Sequence, residues 1–174
     1  MAARAPQLAE QIAYWRACIT AFADAYAGRD DGPTLGPVWR EDDLGVLGGR
    51  DFLPPDYCAF ITRLGCLQAV GLGGGIAFLN PAQADRAMDE YAPEVTQCIH
   101  RAGDAVPIAA NGGGAFVVMA RSGRGIELVD VHFGGVHTRR LIAPDLPALL
   151  ERLFAEWQAL LTESGGRPFL TEVR

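Results

Sequence analysis

AVPIAANGGGAFVVMARSGRGIELVDVHFGGVHTRRLI, residues 105–142, contains four short apolar runs at 105–110, 115–120, 126–131 and 136–142. Asn111-Gly112-Gly113-Gly114, Ser122-Gly123-Arg124-Gly125 and Phe133-Gly134-Gly135 separate them. Runs rich in Val, Ile and Phe, punctuated by glycine clusters, read as strands joined by hairpins. Connections this short exclude parallel crossovers, which take about a dozen residues or more. The sheet is therefore antiparallel at its heart.

Upstream, LPPDYCAFITRLGCLQAVGLGGGIAFL at residues 53–79 reads as a helix running into two short strands. Pro54 and Pro55 suit a first helical turn, where a missing N–H is not needed. Asp56 faces the positive end of the helix dipole. Tyr57, Phe60, Ile61 and Leu64 recur at helical spacing, which builds one face for burial. Gly65 ends the helix because it accepts positive φ. Cys66–Gly71 and Ile76–Leu79 then read as strands around Leu72-Gly73-Gly74-Gly75.

Working outward, residues 7–27 form an amphipathic helix with Leu8, Ile12, Trp15, Ile19, Phe22 and Tyr26 in one stripe. That stripe either packs on the sheet or meets a partner helix. Residues 28–37 are a breaker-rich loop, and residues 38–52 predict a short helix and a turn. Pro81 to Arg101 reads as helical, with Pro93 as a break or kink. Asp145 is a good N-cap for a last helix over residues 146–163, and residues 165–174 form a tail. The expected fold is one α+β domain over residues 1–174. It has a mostly antiparallel sheet of about six strands, with N-terminal (residues 1–28), middle and C-terminal helices packed against it.

Two patches carry a resemblance. Leu53, Pro54, Asp56, Tyr57, Phe60, Ile61 and Gly65 match L-P-x-D-Y-x-x-F-(I/L)-x-x-x-G. Pro107-Ile108-Ala109 with Asn111-Gly112-Gly113-Gly114 matches P-I-A-x-(D/N)-G-x-G. Together they resemble the SUKH superfamily, the Smi/Knr-like domains, over residues 38–161. Leu64-Gly65-Cys66 replaces a frequent Asn-Gly-Gly, and Asn111 stands where Asp is common. The resemblance implies an immunity protein that neutralises a cognate secreted bacterial toxin by binding it. A regulatory or scaffolding interaction domain is the alternative from the same superfamily.

The chain lacks any apolar run near the roughly 18 residues of a membrane span, and MAARAPQLAEQ has no apolar core of a signal peptide. Cys18, Cys58, Cys66 and Cys98 are widely spaced, without C-x-x-C, and read as free thiols in a reducing cytoplasm. All fifteen basic residues are arginine, and the net charge is −6. Such a balance disfavours nucleic acid and anionic lipid as partners and favours basic proteins.

Motifs for chemistry are weak. Gly71-Leu72-Gly73-Gly74-Gly75-Ile76 lacks the third glycine of a dinucleotide fingerprint and leads into a strand, so no helix N-terminus meets a phosphate. His132 and His137 flank a hairpin with Asp130 nearby, but no spacing motif supplies further metal ligands. Ser122 and Ser164 are the only serines, and neither lies in G-x-S-x-G. Cys98 and His100 do not face each other at helical spacing. Glu127 and Asp130 point to opposite faces of one strand. An enzyme assembled from distant residues stays open, but no catalytic residue, metal or cofactor is expected.

Acid is concentrated instead. Residues 24–56 hold eight acidic residues against three arginines, and residues 85–94 hold four against one. Clustered acid steers basic partners and speeds association, whereas an ordinary solvated surface is the plain alternative. The candidate partner-binding residues are Glu41, Asp42 and Asp43, then Asp85, Asp89 and Glu90. Trp39 is either an aromatic anchor or a core residue covering the sheet.

Overall fold

The glycine-punctuated apolar runs become the long strands of the sheet. The computed structural model describes residues 4–27, 32–40, 53–69, 75–90, 105–111, 114–131 and 137–162. In chain order these residues give α1 (Arg4–Ala25), β1 (Thr34–Leu35), α2 (Pro55–Arg63), β2 (Leu67–Ala69), β3 (Ile76–Phe78), α3 (Pro81–Glu90), β4 (Ala105–Ala110), β5 (Ala115–Ala120), β6 (Ile126–Val131), β7 (His137–Ala143) and α4 (Leu146–Leu161). The seven strands lie in the order β1-β2-β3-β4-β5-β6-β7, and every neighbouring pair is antiparallel. The chain is α+β, as its strand and helix patterns predict.

Seven strands stand where about six were expected. The additional one, β1, falls in the loop expected over residues 28–37, where Pro33, Gly36 and Pro37 mask a two-residue strand. Thr34 and Leu35 pair with Gln68 and Leu67, so this strand comes from an available neighbour rather than from local propensity. The expected break at Pro93 and the helix or turn over residues 41–52 lie outside the described residues, as does the tail at 165–174.

Period-2 alternation divides the sheet between two hydrophobic clusters. Ala115, Val117 and Met119 of β5 join the main core, while Phe116 and Val118 join a smaller cluster with Ala87 of α3. The main core takes Trp15, Ile19 and Phe22 from α1, Tyr57, Phe60 and Ile61 from α2, and Leu150, Leu153 and Trp157 from α4. Aromatic rings bind its parts. Phe22 meets Trp157 edge-on at 5.5 Å, Trp15 meets Phe60 at 6.2 Å, and Phe60 meets Phe78 at 5.2 Å.

Local chemistry fixes the helix ends. Asp145 accepts from Ala148 N at 3.0 Å, the N-cap bond its position predicts. At α3, Asn80 and Gln83 exchange backbone–side-chain bonds of 2.9 and 2.8 Å, a capping box ahead of Pro81. Gly65 ends α2 at φ +95, and a Cβ there would lie 2.3 Å from Gly36 O. Glycine is thus required twice over, for the turn and for the approach of the chain beside β1.

Candidate interaction surface

Tyr57 joins the two sequence patches. It is fully buried, and its hydroxyl donates between Leu79 O at 2.5 Å and Ile108 O at 2.8 Å. Leu79 N also donates to Ile108 O at 2.9 Å. On the other side of β4, the β4–β5 register shifts between Pro107 and Ala109, an irregularity at which proline inside a sheet is tolerated. Asn111, from the second patch, accepts from Ala115 N at 2.7 Å and closes the hairpin behind. The sequence marks Tyr57 as core but gives no sign of its carbonyl partners. The only available clue is that a buried phenol needs a hydrogen-bond partner.

The residues expected to bind a partner fall into three groups. Trp39 is half-buried and packs against the main core, with its backbone N–H donating to Ile61 O at 3.1 Å. This packing fits the core-covering role offered for it, beside exposed Val38 and Arg40. Glu41, Asp42 and Asp43 lie outside the described residues. Asp85, Asp89 and Glu90 are in α3, a helix whose Ala84 and Ala87 are buried; the side chains of these three acids lie outside the description. Asp56, at the first turn of α2, approaches the β5–β6 turn, where a Cβ on Gly123 would lie 3.3 Å from its Oδ2.

Cys58 and Cys66 are packed into the protein, while Cys98 lies outside the described residues. Burial pushes the Cys66 thiol up to about 11, with the Trp39 indole opposing the shift through a hydrogen bond. Burial raises Cys58 as well. Both are therefore protonated at neutral pH, the opposite of an activated nucleophile. Burial, with Cys66 and Cys58 close by, also raises Tyr57 well above the ordinary phenol value. His137 opens β7 opposite Val131, but its side chain and the whole of His132 lie outside the description. Glu127 pairs with Arg139, while Asp130 is buried on the face that Ile126 and Leu128 share, as the odd spacing of the two acids requires.

Among the described residues no group of three or more His, Cys, Asp and Glu side chains could hold a metal ion. No described helix is long and apolar enough to cross a membrane. Comparison with protein-family models, with curated proteins and with solved structures gave no match in any of the three.

Proposed function

We propose that this protein works by stoichiometric contact, as an immunity protein of the SUKH type that binds and neutralises a cognate secreted toxin. The observation that carries this reading is the concentration of acid in residues 24–56 and 85–94, against a net charge of −6 for the whole chain. A toxin that acts on nucleic acid presents a basic cleft, which such carboxylates would enter as phosphate mimics. Family membership is part of the proposal. It is supported by the way the two resembling patches meet, with the tyrosine of the first on a carbonyl of the second.

Free Cys18, Cys58 and Cys66 support a cytoplasmic site of action, where thiols stay reduced. The raised pKa values of Cys58 and Cys66 support a packing rather than a reacting role for those side chains. The test is co-expression with the product of the neighbouring upstream gene. A co-purifying complex and rescue from toxicity are the expected results; neither complex nor rescue would contradict the proposal.

A further inference from the structure

Helices α1 and α4 lie side by side, joined by Phe22 stacking on Phe154 and meeting Trp157. They show different faces to solvent. Helix α4 exposes Glu151, Arg152 and Gln158, the polar exterior expected of a surface helix. Helix α1 exposes Ala13, Ala17 and Ala21, with Tyr14 at 56% exposure beside them. Exposed Glu10, Arg16, Thr20 and Asp24 are interspersed with these residues, so the outer side of α1 combines small apolar side chains with charges of both signs.

Ala13, Ala17, Thr20 and Asp24 follow one another at steps of four, three and four, so they share a single stripe. With Arg16, and with Arg63 from the end of α2, they line an open groove of about 700 Å³ along α1. Arg16 donates to the Arg63 carbonyl, which ties its guanidinium to the α2 side of the groove. The charges have a pattern: Arg16 and Asp24 lie four residues on either side of Thr20. A base and an acid equidistant from one point are complementary to their own copy turned end for end.

We propose that the groove is filled by a second copy of this chain, with the two α1 helices antiparallel about a two-fold axis at Thr20. Each Arg16 then faces Asp24 of the other copy, and the alanines let the helix axes approach closely. The contact is isologous, the usual form for a homodimer. It uses α1 rather than the candidate toxin-contacting residues Glu41, Asp42, Asp43, Asp85, Asp89 and Glu90, and it shares only Asp24 with the acidic stretch 24–56.

Sedimentation equilibrium of the full chain tests it, with concentrations running up to roughly millimolar. The wild type should form dimers. Asp24→Arg, an exposed change, should weaken dimerisation about tenfold or more by placing like charges opposite each other. Arg16→Asp combined with Asp24→Arg should restore it, because the charges swap but still match. Ala17→Arg, also at an exposed position, should give monomer by filling the groove, with circular dichroism unchanged. A wild type that stays monomeric throughout, or a dimer indifferent to both Asp24→Arg and Ala17→Arg, would overturn the proposal.

Discussion

The two ends of the sheet are built differently. Strands β4 to β7 are six or seven residues long, with long ladders between them that shift register at Pro107/Ala109 and at Ile126/Glu127. Strands β1 to β3 are two or three residues long. Strands that short add few ladder bonds and make little stability of their own. The narrow end is held from the helix side instead, by the Tyr57 hydroxyl, the Gly65–Gly36 approach and the Trp39–Ile61 backbone bond.

The largest break in this comparison should come from Gly65→Ala. Its methyl meets Gly36 O at 2.3 Å from a φ of +95, so clash and backbone strain act together. A loss of about 3 kcal/mol is expected in urea unfolding. Tyr57→Phe should cost about 1–2 kcal/mol by leaving Leu79 O without the Tyr57 donor and Ile108 O with only Leu79 N. Hydrogen exchange sharpens the same point. In Tyr57→Phe the amides of β2 and β3 should exchange faster, while those of β5 and β6 stay slow. Equal acceleration at both ends would mean that the sheet opens as one unit.

A smaller effect follows from the Cys66 thiol, which is held near 11 when folded against an ordinary value of 9.0. The unfolded chain loses that proton first as pH rises. The contribution is therefore complete below pH 9 and fades as pH climbs towards 11. Burial shifts Cys58 and Tyr57 in the same sense. Cys66→Ala should flatten, without abolishing, the alkaline fall in stability measured by thermal unfolding across this range.

The same contrast decides what could be read from the sequence. The broad end was legible because glycine clusters and the apolar runs between them are local signals, and 105–110, 115–120 and 126–131 match the observed strands. Asp145 and Gly65 declare their roles through cap and turn chemistry, and both roles are found. Strand β1 was hidden because its pairing depends on β2, which is distant in sequence and invisible to local propensity. Trp39 was ambiguous for a related reason. An indole next to acids fits an anchor or a lid equally well until Ile61 and Cys66 are found beside it. The carbonyl partners of Tyr57 were equally out of reach, since Leu79 and Ile108 are brought together only by the pairing of β3 with β4, a tertiary feature.

The decisive measurement is the association rate between this protein and the neighbouring gene's product, followed as ionic strength is varied. With Asp42→Arg and Asp43→Arg introduced together, the rate at low salt should fall roughly tenfold or more, and its salt dependence should flatten. Unchanged association and an unchanged salt slope would contradict the claim that these carboxylates make the contact.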